Sequence, residues 1–434
     1  MKTISLRIGN TVRINLFWLY EVFIILLPIL DNYLLLPIRF SIIAFLFGSI
    51  LLFYQLFSGA LTIKVRAIAY IVYAFLITLG MTAYYKMGSI GYSLPRIGTL
   101  ILSFLNYYIF AYKIWDFEKG FKLYRKICDI CSIIVILQLL FGIMGKGFSV
   151  MIPGLKTTGD FEFTNGYIEA QISTNRFSSF FLEPAHQTQY CLPCIAILLM
   201  NDIEKTFRFK KGVISAIVIT AGLMATTSML GILGVAIVWT YYLFCLIRTG
   251  RIKGISRLLV LAPIAIVGII VLMQQEVIRI QFLKKITSFN GGNVVEGSSM
   301  YVRIFYGWDC FKDLSLFHKL FGYGYYNSSV YLVLSGIGTK YTEAESAGYM
   351  SGLATTFCEL GIIGATLNLS ILVFPALKCK NRIARGIILS WLIIMLTSAN
   401  FDRTSSLLAA TLMLSLVYTL KNPEKMILQE LKNE

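Results

Sequence analysis

Residues 212–247 carry no charged side chain across 36 consecutive positions. As one α-helix the run would reach roughly 54 Å at 1.5 Å per residue, well beyond a hydrocarbon core of about 30 Å. Both flanks are basic, with Lys210 and Lys211 before it and Arg248 and Arg251 after it. Basic flanks stay on the cytoplasmic side. The run therefore has to cross, turn and return. Ala225 to Ser228 (ATTS) is its most polar point near the middle and the expected break. Two unusually short spans result, with a shared tip below the outer surface, and short or broken helices of this kind border cavities.

The rest of the chain repeats the pattern. Apolar segments at about 14–36, 40–58, 67–85, 97–112, 127–144, 187–200, 258–273, 350–375, 386–399 and 404–420 alternate with short polar ones. Only 14% of residues are charged and mean hydropathy is +0.73, against about 25% charged in a soluble domain. A lipid-exposed backbone must satisfy its own hydrogen bonds. The expected fold is an all-α integral membrane protein, a single polytopic domain over 1–434 with a bundle of about 12 transmembrane helices.

The net charge of +17 does not indicate nucleic acid. Its basic residues lie in short clusters between apolar spans, and the segments placed inside hold 25 of the 39 Lys and Arg. KIWDFEKGFKLYRK, with Lys113, Lys119, Lys122, Arg125 and Lys126, reads as the clearest cytoplasmic loop. Both termini are then cytoplasmic and the protein multi-pass. The N-terminus lacks a small-residue cleavage site before its first span, so that helix is expected to be retained. The Cys128/Cys131 and Cys191/Cys194 pairs sit in apolar spans and read as packing rather than zinc or redox chemistry. Two histidines in the chain leave no histidine-rich metal site.

Two larger external segments remain, 146–186 and 274–347. The first is rich in Gly, Thr and Asn, reads as irregular from Gly166 to Ser179, and runs into NRFSSFFLEPAHQTQYCLPCIAILLM. Arg176, Glu183 and His186 there stand where a loop enters the bilayer, an expensive place for charge. The second carries Arg303 in MYVRIFYGW. Arginine keeps its charge and binds phosphate bidentately, so two arginines converging at the outer surface would suit a lipid-linked diphosphate. Each would otherwise be a snorkelling interfacial residue. In a helix starting at Pro184, Glu183 would be the cap and His186 would lie in the first turn. Either could take a proton from a sugar hydroxyl. Glu343 or Glu345 could do so if its loop folds over the cavity. His318 reads as structural, and Glu359, inside a span, is expected to face the bundle or stay protonated.

Four stretches, in order, resemble the bacterial O-antigen polymerase and O-antigen ligase superfamily (Wzy-type polysaccharide polymerases). They are NRFSSFFLEPAHQTQY, LMATTSMLGILG, MYVRIFYGWDCFKDLSLFHKLFGYGYYN and SGLATTFCELGIIGATLNL. They are similar to the family's arginine with E-P, its threonine/serine-rich paired-helix tip, its arginine, tryptophan and G-x-G, and its E-L-G-x-x-G helix. Together they cover about 175–375.

The resemblance implies an enzyme of the bacterial cytoplasmic (inner) membrane, a polymerase of undecaprenyl-diphosphate-linked oligosaccharide repeat units. Arg176 and Arg303 would hold the diphosphate leaving group while an acceptor hydroxyl attacks the anomeric carbon. No metal, cofactor or nucleotide sugar is implied. The partners implied are the lipid-linked oligosaccharide, membrane lipids, and a flippase and chain-length regulator of the same pathway. The candidate bases are His186, Glu183 and Glu345. Ligases of the superfamily carry a histidine in the segment that here reads TKYTEAESAGYMSG, without one. That weighs against the alternative of an O-antigen ligase acting on a lipid A core or other acceptor. A second alternative, a lipid-linked oligosaccharide flippase, would carry charges through several spans. Here the candidate charges gather at one face.

Overall fold

The computed structural model describes residues 5–8, 12–35, 38–59, 65–85, 97–98, 100–105, 115–152, 155–157, 161–250, 289–290, 293–294, 301–342, 350–397 and 404–422. Glu343, Glu345, the expected span at 258–273 and most of 274–300 lie outside them. The described chain is largely α-helical. Its first helices are α1 (Leu16–Leu30), α2 (Phe40–Phe57), α3 (Val65–Tyr84), α4 (Phe117–Ile143) and α5 (Phe161–Thr174). The central ones are α6 (Pro184–Glu204), α7 (Gly212–Ala225) and α8 (Met229–Arg248). Three short helices follow, α9 (Gly307–Asp313), α10 (Leu316–Phe321) and α11 (Ser328–Leu334), then α12 (Gly352–Lys378), α13 (Arg382–Thr397) and α14 (Thr404–Lys421). Six of them, α2, α3, α4, α8, α12 and α14, are long and apolar enough to cross a membrane. The protein is a multi-pass membrane protein on that basis.

The bundle is built around α6, where 18 of 21 residues are buried. It packs against α4, α7, α8, α13 and α14, so neighbouring helices rather than lipid surround it. That position explains why α6 tolerates polar residues, each of which finds a partner. Gln187 Nε2 donates to Cys131 O at 3.3 Å, and Ser405 Oγ donates to Gln189 Oε1 at 3.1 Å. The Tyr190 hydroxyl donates to Ile25 O at 3.0 Å. These bonds tie α6 to α4, α14 and α1, the interhelical glue expected where lipid offers no partner.

Helix boundaries differ from the sequence reading in two places. KIWDFEKGFKLYRK, read as a loop, is helical from Phe117, with Asp116 accepting the Lys119 N–H at 3.1 Å as cap. Its Phe117, Phe121 and Tyr124 fall on one buried face and Lys122 on an exposed one, so amphipathic spacing carries the helix past the apolar stretch. The segment read as irregular from Gly166 is helical to Thr174, with only 175–183 irregular. The sixth span starts ahead of the Gln, at Pro184, with Glu183 at the cap position, in agreement with the sequence reading of a helix from Pro184.

The break in the long apolar run falls where expected, at Thr226–Ser228. Thr227 takes a positive φ of 52°, and Thr226 Oγ1 donates to Leu223 O at 2.7 Å while accepting the Ser228 N–H at 3.2 Å. Only α7 is short, at 14 residues; α8 has 20. Close packing seats α7 on α4, since a Cβ at Gly222 would stand 2.5 Å from Ser132 Cβ.

A second break interrupts α12 at Gly361 (φ 63°, ψ −175°). The carbonyls of Cys358, Glu359 and Leu360 would have bonded the next helical turn. They accept the N–H groups of Tyr323 (3.0 Å) and Gly324 (2.8 Å) and the hydroxyl of Tyr73 (2.8 Å). The glycine turn after α10, with Tyr73, thus supplies donors to the carbonyls at the break.

Candidate functional site

The irregular stretch 175–183 carries Arg176 and is fixed on both sides of it. The Arg176 N–H donates to Gln171 O at 3.0 Å, and Gln171 Nε2 reaches Ser178 Oγ at 3.0 Å and Leu182 O at 2.9 Å. Gln138 of α4 accepts the Ser179 N–H at 3.0 Å, and the Tyr33 hydroxyl donates to Phe180 O at 3.2 Å. Phe177 is buried with Val135, Leu139 and Ala225. The loop is therefore a rigid platform. Asn175 and Ser179, at φ 49° and 54°, make the reversals that fold it back.

Arg303 lies in a π-helical turn, Val302–Tyr306, that leads directly into α9. The turn packs against α13. Gly307 seats the next turn on the start of α12, since a Cβ there would stand 2.7 Å from Ala354 Cβ. Single π turns inside helices recur at functional sites because they re-aim a side chain.

Arg303 and Glu183 both lie within electrostatic reach of Arg176. Burial lowers the proton affinity of Arg176, the nearby Arg303 cation lowers it further, and Glu183 opposes both. The Arg176 Nε is buried with no hydrogen-bond partner. A buried guanidinium with an unsatisfied donor, within the field of a second arginine, is suited to an anion. Arg176 and Arg303 form none of the ion pairs among the described residues.

Glu183 is the N-cap of α6, but its side chain makes no capping bond. His186 lies in the first turn, half-buried, its N–H donating to Glu183 O at 3.0 Å. Glu345 lies outside the described residues. Glu359 faces the bundle, as expected: its Oε1 accepts the Tyr326 N–H at 3.0 Å and the Ser328 hydroxyl at 3.2 Å.

Sequence reasoning missed the residues that position the site. Gln138 and Gln171 hold the arginine loop, and Gln138 was visible as a lone amide in the apolar stretch IVILQLLF. His318, read as structural from the sequence, is tied into the fold. That imidazole lies on the wall of a groove of about 610 Å³, lined also by Leu76, Ile77, Met81, Tyr84 and Phe317. Its Nδ1 is 2.7 Å from Ser315 Oγ and its Nε2 meets the Tyr85 hydroxyl. Burial pushes its pKa below the usual histidine value.

No protein-family model matches the chain, and neither a curated protein nor a solved structure does.

Proposed function

We propose that the protein is a polymerase of undecaprenyl-diphosphate-linked oligosaccharide repeat units, working at the outer face of the bacterial cytoplasmic membrane. The observation that carries this reading is Arg176 on a hydrogen-bonded loop, its buried Nε without a partner and within the field of Arg303. Such a pair suits a diphosphate that gains charge as it leaves. Electrostatic stabilisation of that leaving group is then the main catalytic contribution. The acceptor hydroxyl attacks the anomeric carbon, the bond from that carbon to the diphosphate breaks, and the hydroxyl proton passes to a base, with Glu183, His186 and Glu345 as the candidates. The diphosphate leaves on its lipid.

The test is incubation of the purified full chain with undecaprenyl-diphosphate-linked repeat units, followed by sizing of the glycan. A ladder of lengths is expected. Transfer only when a core-lipid acceptor is supplied would replace the proposal with a ligase. Movement of the lipid-linked substrate across a vesicle membrane without chemistry would replace it with a flippase.

A further inference from the structure

A second polar site lies at the other end of α6. The helix starts beside Glu183 and ends at Glu204, 21 residues later, so roughly 30 Å separate the two ends at 1.5 Å per residue. Glu204 opens onto a cavity of about 390 Å³ between the ends of α8, α12 and α13, lined also by Tyr241, Arg248, Lys380, Arg382 and Arg385. Four cations face one carboxylate. That carboxylate is already engaged: Glu204 Oε1 accepts from Arg382 Nη1 at 3.0 Å and from the Arg382 N–H at 3.3 Å. Among the described residues, Arg248, Lys380 and Arg385 form no ion pair.

A bias of basic residues toward one membrane face accounts for the number of cations. It does not account for four of them, from three helix ends, meeting around one concave space with Arg382 braced by Glu204. The rim adds a further clue. Phe244 lines the same cavity and is 57% exposed, and Ile247 beside it is 66% exposed. Both lie on α8, a helix fit to span the membrane, so their exposed faces are suited to acyl chains. Phosphate oxygens at the cations and hydrocarbon along Phe244 and Ile247 describe one ligand.

We infer that this cavity binds the phosphate of an anionic phospholipid headgroup, with Arg248, Lys380, Arg382 and Arg385 around the phosphate and the acyl chains along α8. By the charge bias of the sequence this is the cytoplasmic leaflet, opposite the arginine pair. The shared chemistry is a phosphate monoanion or diester. Exposed apolar rim residues favour the lipid over a water-soluble phosphate.

The test is native mass spectrometry of the detergent-purified full chain titrated with phosphatidylglycerol, phosphatidylcholine or glycerol 3-phosphate. Phosphatidylglycerol is expected to bind at least about tenfold more tightly than phosphatidylcholine, from the attraction each basic residue contributes at a membrane surface. Glycerol 3-phosphate should not compete. The triple variant Arg248→Gln, Lys380→Gln, Arg385→Gln should lose the preference. A control triple, Arg208→Gln, Lys210→Gln, Lys211→Gln, removes three cations after the same helix end but outside the cavity and should keep it. If the first triple fails to fold, Arg385→Gln alone should reduce the preference at least about threefold. Equal binding of the two lipids, an unchanged preference in the cavity variants, or equal loss in the control would overturn the site. Competition by glycerol 3-phosphate would overturn its assignment to a lipid.

Discussion

The carboxylate of Glu359 accepts the backbone N–H of Tyr326 at 3.0 Å, across a break in α12 that the glycine turn before Tyr326 fills. The same oxygen accepts the Ser328 hydroxyl. Glu359 thus fastens the segment that carries α9 and α10 to a membrane helix. Glu359→Gln keeps an acceptor at that position and is expected to leave thermal unfolding in detergent nearly unchanged. Glu359→Ala strands both donors, at about 1–3 kcal/mol each, and is expected to lower the unfolding temperature clearly. Equal behaviour of the two variants would contradict this role.

Gly322 and Gly361 make the contact possible. A Cβ at Gly322 would stand 2.2 Å from Glu359 O, and one at Gly361 would stand 2.2 Å from Leu320 O. Both sit at positive φ with ψ near 180° (Gly322 78°/−173°, Gly361 63°/−175°), a region almost confined to glycine, where another residue costs about 1–3 kcal/mol. Gly322→Ala and Gly361→Ala should therefore destabilise by more than that strain alone. Gly336→Ala (φ 74°, nothing within 4 Å) should cost no more than the strain. Comparing unfolding midpoints of the three variants checks the ranking.

Arg176→Ala and Arg303→Ala should each lower polymer formation by about 10²–10³-fold, the usual loss when one preorganised charge stabiliser is removed. Arg176→Lys keeps the charge but not the bidentate fork, so it should fall between wild type and Ala. Protein level and the supply of single repeats should be unaffected. Wild-type-length polymer from both alanine variants would sink the proposed function.

His318 gives a pH dependence. Burial holds its folded pKa below the ordinary 6.5, so the folded state favours the neutral ring and the unfolded state binds the proton more readily. The stability it contributes is complete above pH 6.5 and is lost as pH falls through the lower folded value. Unfolding temperature is expected to drop on acidification below 6.5, with a shallower drop in His318→Gln. Parallel profiles would mean that other groups govern the acid limb.

All eight cysteines are free, seven of them buried and Cys379 half-buried. A maleimide should label at most one site per folded chain in mild detergent and all eight in denaturant, read by intact mass. Ready labelling of Cys191 or Cys194 in the folded chain would show that the α6 core opens.

Much of this was legible in the sequence. The apolar run at 212–247 was too long for one span, and ATTS marked where it breaks. Arg176 and Arg303 stood out as cations in apolar, aromatic surroundings. The extension of α4 to Phe117 was hidden, because the lysines that mark a membrane boundary also form the exposed face of an amphipathic helix.

What the sequence determined by itself is the membrane class and most helix positions, because hydropathy and charge act locally along the chain. Tertiary structure alone decided that α6 is surrounded by protein, that the glycine turn packs onto a broken α12, and that Arg176 lies within the field of Arg303. It also decided that four cations from separate helix ends share one cavity. Each of these joins residues far apart in the chain through backbone hydrogen bonds and close packing, and their partners are set by the three-dimensional path rather than by any local pattern.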